Sequence, residues 1–215
     1  MEKKNIKKKI WNIENDFIQL SETSRLKKYI YQYELFKKTA FLEGDFVECG
    51  VFKGNSFIRF LTYNALFKKN KKFFYGFDAF GKFPETKLKS DKIFIKKWNK
   101  DTGTYADKKI LGKILKKKKF QNYKLIKGDI FKTLHPILDK QIKKISFLHL
   151  DMDTFDATYY ALNQCYKKLQ KKGIVLIDDY GTVDGATIAT DKFIKKNNLK
   201  IHKIDKLFKP VYLIK

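Results

Sequence analysis

Five short, largely apolar runs punctuate the chain after residue 44: Phe46 to Cys49, Phe73 to Phe77, Tyr123 to Ile126, Ile145 to Leu150 and Ile174 to Ile177. Runs this short, separated by longer amphipathic stretches, read as strands buried on both faces, the pattern of a parallel sheet covered by helices. Between the fourth and fifth runs, Ala157, Ala161, Cys165 and Leu169 recur every four residues and Gly173 stands where a helix would stop, which makes one complete βαβ unit. A further helix is predicted over Thr187 to Lys196. Two closing strands follow, Lys200 to Ile204 and Val211 to Ile214, with Pro210 in the connection. The fold class is therefore α/β and Rossmann-like.

Residues 1–44 read as a charged helical cap, with Leu26, Ile30 and Tyr33, flanked by Tyr29 and Phe36, as its apolar stripe. The core runs from 45 to 215, and the whole of 1–215 is read as one domain, a size that suffices for a single hydrophobic core. Residues 79–122 interrupt the rhythm. They carry a charge run at Lys116 to Lys119, one predicted helix at Asp107 to Lys118, and Phe83, Pro84, Trp98 and Tyr105 among polar residues. This is a solvated insertion or a lid over an acceptor pocket.

Composition excludes several classes. Hydrophobic residues at 43% and aromatic residues at 16% separate the chain from disordered sequences. No apolar stretch reaches the roughly 18 residues of a membrane span, and MEKKNIKKKI lacks the apolar region of a secretory signal, so a cytoplasmic location is expected. Cys49 and Cys165 are read as reduced core fillers. The net charge of +25 suggests a polyanionic partner, but it is nearly all Lys, spread over almost every segment, with only Arg25 and Arg59 besides. Nucleic acid is disfavoured as the partner.

Chemistry gathers where the runs end. The first ends in Glu48-Cys49-Gly50-Val51-Phe52-Lys53-Gly54, an acid followed by G-x-x-x-G, where glycines let a ligand approach the backbone. The full G-x-G-x-x-G of dinucleotide enzymes is missing, which counts against NAD. Ser56 offers a hydroxyl to the ligand or a helix cap. Asp78, closing the second run, suits the two hydroxyls of a ribose, and Asp129, closing the third, could accept from an adenine amino group; the alternative is that each is a turn residue. Together they point to an adenosyl ligand.

The fourth run ends in Asp151-Met152-Asp153 and the fifth in Asp178-Asp179. Parallel neighbours bring these ends to one side, and carboxylates that close repel unless a cation compensates them. A hard oxygen set of this kind fits Mg²⁺ or a similar divalent ion, which would lower the pKa of a bound hydroxyl. We assign metal binding to Asp151, Asp178 and Asp179 and helix capping to Asp153. His135, His149 and His202 stand alone, so zinc is not indicated, and His149 reads as a satisfied core residue.

Glu48-x-Gly50-x-x-x-Gly54, Phe77-Asp78-Ala79-Phe80 with Phe83-Pro84-Glu85, Leu150-Asp151-x-Asp153 and Ile177-Asp178-Asp179-Tyr180-Gly181 resemble the macrocin and mycinamicin O-methyltransferases of antibiotic-sugar tailoring. The resemblance covers roughly 45–214. It implies the class I methyltransferase fold with a mostly parallel seven-stranded sheet and helices on both faces, S-adenosylmethionine as donor, Mg²⁺ as a required ion, and Asp151 as the catalytic general base. The implied acceptor is a small molecule of sugar or glycan type, and a homo-oligomer is left open. Two alternatives remain: an RNA methyltransferase, or a non-catalytic basic binding protein on the same scaffold.

Overall fold

The computed structural model describes residues 2–67, 72–102, 105–204 and 210–215, with side chains from Asn5 onward. Met1 of the expected cap and residues 103–104 of the expected insertion lie outside the described residues. In chain order the elements are α1 (Glu2–Leu20), α2 (Thr23–Thr39), β1 (Asp45–Cys49), α3 (Asn55–Leu66), β2 (Phe74–Asp78), α4 (Lys89–Thr102), α5 (Lys108–Lys117), β3 (Tyr123–Lys127), α6 (Ile130–Lys140), β4 (Ile145–Leu150), α7 (Phe155–Lys168), β5 (Leu169–Ile177), α8 (Asp184–Asn197), β6 (His202–Lys203) and β7 (Val211–Ile214).

The seven strands form one sheet in the order β3-β2-β1-β4-β5-β7-β6. β1 to β5 run parallel, and β7 is antiparallel to both of its neighbours. This is the mostly parallel class I sheet that the resemblance implies. Strand order reverses between β1 and β4, and in such sheets the crevice beyond that reversal holds the ligand.

Alternation along the strands builds two cores. Val47, Tyr75, Phe77, Leu148 and Val175 face α6, α7 and α8. Phe46, Phe74, Phe147 and Leu176 face α2, α3 and α5. The second core is aromatic: the Phe46 ring lies 4.7 Å from Phe74, 4.8 Å from Phe60 and 5.6 Å from Phe147. Ring pairs at such separations add to the burial of their area.

Three expectations change. Helix α7 ends at Lys168, and Leu169 to Ile177 is a single strand, so Gly173 lies inside β5. A Cβ there would come within 2.8 Å of the Gln170 carbonyl oxygen, next to a shift in the β4–β5 register, so the glycine serves an irregular strand instead of a helix stop. The insertion holds two helices. α5 matches the expected one, with Asp107 capping it by accepting from the Lys109 N–H at 2.7 Å, but α4 was not foreseen. Finally, α2 buries Tyr31, Leu35 and Phe36 while Tyr29 and Ile30 are exposed, so the face that packs is rotated from the expected stripe.

Candidate active site

Gly50 follows β1 with φ +90°, a region favouring glycine, and a Cβ on it would lie 1.8 Å from the Asp151 carbonyl oxygen. The turn after β1 thus rests directly on the backbone leaving β4. Asp78, at the end of β2, holds this turn from the other side. Its Oδ2 accepts from the Val51 and Phe52 N–H groups at 2.9 and 2.7 Å, and its Oδ1 accepts from the Phe80 N–H at 2.6 Å. Gly54 opens α3 at φ +86°, where a Cβ would strike Leu111 at 2.3 Å. Its small size lets α5 of the insertion pack close.

Glu48 and Ser56 are placed differently from the expectation. Both are buried, and the Ser56 hydroxyl donates to Glu48, so they lie behind the turn instead of bordering the cavity. Asp129 accepts from the Phe131 N–H at 3.0 Å and caps α6, the turn role that its position also allowed.

At the ends of β4 and β5, Asp151, Asp178 and Asp179 each bring one carboxylate oxygen within 4.8 Å of the others. Their environments differ. Burial, then repulsion from Asp178 and Asp179, pushes the Asp151 carboxyl well above the usual carboxylate range. Asp179 is raised by burial, then by Asp153 and Asp178. Asp178 is pulled below its ordinary value: burial opposes this, but contacts from His149 and Lys28 outweigh it.

Lys28 was not singled out in the sequence, and His149 was read there as a core residue. Lys28 Nζ of α2 is paired with Asp178 Oδ2, and the Tyr31 hydroxyl donates to Asp178 Oδ1 at 3.3 Å. His149 is fully buried in β4, with Nδ1 3.5 Å from Glu48 and Nε2 3.8 Å from Asp178. Against the cost of burial, these two acids raise its pKa to about 10. His149 is the core residue expected, and it is flanked by two carboxylates that the sequence reading did not place beside it. In a chain with 48 Lys and Arg, one lysine on a helix carries no signal.

Asp153 does not cap α7. It adopts φ +63°, its N–H donates to Asp179 Oδ2 at 2.9 Å, and burial followed by repulsion from Asp151 raises its carboxyl to about 8. The cap comes from α4: buried Asp91 accepts from the Phe155 N–H at 2.8 Å and from the Thr86 hydroxyl at 3.0 Å. A Cβ on Gly185 would sit 2.0 Å from Asp91 Oδ1, so α4 is also pressed against α8.

A cavity of about 230 Å³ opens between these groups, bordered by Gly50, Asp78, Gly128, Asp151 and Asp153. Phe83, Trp98 and Tyr105 of the insertion border it too. The Trp98 ring lies 5.1 Å from Phe83, 5.5 Å from Phe52 and 6.2 Å from Tyr105. The insertion is an aromatic roof over the cavity, anchored through Asp91. Of the three clustered acids, only Asp151 borders the cavity among the described residues.

The family model described as Macrocin-O-methyltransferase (TylF) matches residues 24–212. Among solved structures, the chain is similar to the O-methyltransferase NovP, with TM-score 0.75 and 20% identity over 89% of this chain and 79% of that one. It is also similar to the calicheamicin methyltransferase CalS11, with TM-score 0.72 and 18% identity over 95% and 85% of the two chains. An O-methyltransferase from Bacillus cereus in complex with SAH has TM-score 0.59 and 10% identity over 88% and 81%. At these identities the likeness is one of fold. No curated protein matches the sequence.

Proposed function

We propose, since the chain belongs to the macrocin O-methyltransferase family and is thus an S-adenosylmethionine-dependent O-methyltransferase, that its acceptor is a sugar or glycan-type hydroxyl, activated at a divalent cation held by Asp151, Asp178 and Asp179. The observation that carries this reading is the position of Asp151, which belongs both to the acidic cluster and to the wall of the cavity that the Gly50 turn borders. The donor set fits a hard ion: three carboxylates from two strand ends, with Lys28 and His149 both placed on Asp178. A bound Mg²⁺ or similar ion would lower the pKa of a neighbouring hydroxyl and orient it.

The chain's own residues do the rest. Asp151 accepts the hydroxyl proton, being the clustered acid that the cavity can reach. Lys28, Tyr31 and His149 fix the Asp178 carboxylate, and the Asp153 N–H fixes that of Asp179. Gly50 and Asp78 shape the donor end, where S-adenosylmethionine supplies the methyl group. The rings of the roof offer apolar faces on which a sugar ring can lie. A sugar acceptor is also supported by CalS11, described as a TDP-rhamnose 3'-O-methyltransferase.

The test is methyl transfer from labelled donor to TDP-rhamnose, other nucleotide sugars and polysaccharide fragments, with and without chelator. Transfer to one of these that chelator stops and Mg²⁺ restores is expected. Transfer only to RNA, with steep salt dependence, would overturn the acceptor, and full activity in chelator would overturn the ion.

A further inference from the structure

A second cavity, of about 250 Å³, lies between α4 of the insertion and the start of α8. Ser90, Asp91 and Phe94 form one wall, and Thr182, Asp184 and Gly185 the other. Both walls are built on parts of the active site. Phe94 meets Phe83, a ring of the roof, edge-on at 6.3 Å, so one aromatic pair borders both cavities. On the α8 side, the Thr182 N–H and hydroxyl both donate to the Asp179 carbonyl, at 3.0 and 2.8 Å. The Ala186 N–H donates to the Asp153 carbonyl at 3.1 Å. The second cavity is thus tied to the loops that carry the clustered acids.

Its lining has a definite chemistry. Neither Lys nor Arg lines it among the described residues, in a chain with 48 of them, while Asp91 and Asp184 stand on opposite walls. Asp91 is 1% exposed; its Oδ2 serves Phe155 and Thr86, but its Oδ1 has no hydrogen-bond partner. Burial, and more weakly repulsion from Asp156 and Asp184, raises its carboxyl against those two bonds. A buried acceptor without a donor costs free energy. The Ser90 and Thr182 hydroxyls add polar contacts, and Phe94 and the exposed Ile93 add apolar ones. Oxygen acceptors beside an aromatic ring suit a ligand with hydroxyl donors around its rim and C–H groups on its face, as a sugar ring has. Acids on both walls disfavour a carboxylate or a phosphate.

We propose, resting on the reading that a sugar hydroxyl is methylated beside Asp151, that this cavity is a subsite for the neighbouring residue of a longer glycan. That residue carries no acidic group, so the acceptor is an oligosaccharide and not a lone nucleotide sugar. Phe94 packs on its face, Asp184 accepts from its hydroxyls, and a hydroxyl at the floor gives Asp91 Oδ1 the donor it lacks. Gly185, where a Cβ would sit 2.0 Å from Asp91 Oδ1, keeps the two walls close.

The test is sugar binding to the full chain loaded with S-adenosylhomocysteine and Mg²⁺, by isothermal titration. The probes are short uncharged oligosaccharides, each beside its monosaccharide and beside a counterpart bearing a carboxylate. At least one uncharged oligosaccharide should bind about tenfold more tightly than its monosaccharide and than its acidic counterpart. Phe94→Ala should cut this advantage to about twofold. Asp184→Arg should invert the preference between uncharged and acidic probes, a change of sign that loss of folding cannot produce.

No binding, or equal affinity for oligosaccharides and their monosaccharides, would overturn the subsite. So would tighter binding of the acidic probes by the unaltered chain, or an advantage that both variants leave intact. Methyl transfer from labelled donor separates this outcome from the reading beneath it. Transfer to sugars with no oligosaccharide advantage removes the subsite alone; oligosaccharide binding without transfer to any sugar removes the acceptor assignment and leaves a glycan site.

Discussion

The strand ends of β2 and β3 and those of β4 and β5 carry the same residue, aspartate, and use it in opposite ways. Asp78 accepts from three backbone N–H groups and Asp129 from one, so each is satisfied by the chain that surrounds it. Asp151, Asp178 and Asp179 face one another, and cationic side chains reach only Asp178 among them directly. A carboxylate fed by backbone donors is a rivet that holds a turn. Carboxylates crowded against like charge are costly to folding, a cost that the cation proposed above would offset. One half of the sheet edge therefore supplies shape and the other supplies charge.

The sharpest way to break this division is at the charged half. Asp178→Ala or Asp179→Ala should lower turnover by roughly 10³-fold, the several kcal/mol that a bound cation contributes. Donor affinity by calorimetry should stay nearly unchanged. A parallel loss of donor binding would mean that the two halves are one site. Gly50→Ala tests the seam between them. Its Cβ would meet the Asp151 carbonyl oxygen at 1.8 Å, in a positive-φ conformation, so donor affinity, turnover and melting temperature should all fall. An alanine variant with wild-type kinetics would remove the contact from the argument.

Asp78→Asn keeps the shape of the rivet but loses its charge-assisted bonds, worth about 2 kcal/mol. Donor Kd should rise about tenfold, and the rate at saturating donor should hold. The smallest effect concerns a buried lysine. Lys72 donates to the Leu42 and Gly44 carbonyls and to the Ser146 hydroxyl, and burial lowers its pKa from 10.5 to about 8, with Asp45 opposing. Between those values the unfolded chain binds more protons than the folded one, so this residue's contribution to stability should grow as pH rises from about 8 to 10.5. Urea midpoints across that window should climb less steeply for Lys72→Met; identical slopes would dismiss the effect.

How far the sequence was legible follows the same line. Strands were readable because burial on both faces leaves an apolar run, and their order placed the acids on one edge before any coordinates. Gly173 was misread because a glycine marks a break in regularity without saying whether a helix or a strand is broken. Helix α4 was missed because five of its fourteen residues are Lys and blur its apolar pattern, and much of what holds it is tertiary: Asp91 reaching the start of α7 and Gly185 making room on α8. Lys28 and Tyr31 could not be paired with Asp178 from a distance of some 150 positions, since only the docking of α2 brings them together. The acids beside His149 were hidden for the same reason: both lie on other strands or at their ends.

The roof has one more consequence, an optical one. The chain has two tryptophans, and they sit in unlike places: Trp98 among the rings over the cavity, and Trp11 in water on α1, 65% exposed. Excitation of the indoles therefore yields two signals, a solvent-quenched one from the outer helix and one whose colour tracks whatever fills the chamber beneath Phe83 and Tyr105. With Trp11 replaced by Phe, the remaining emission becomes a built-in gauge of occupancy, readable without any attached label.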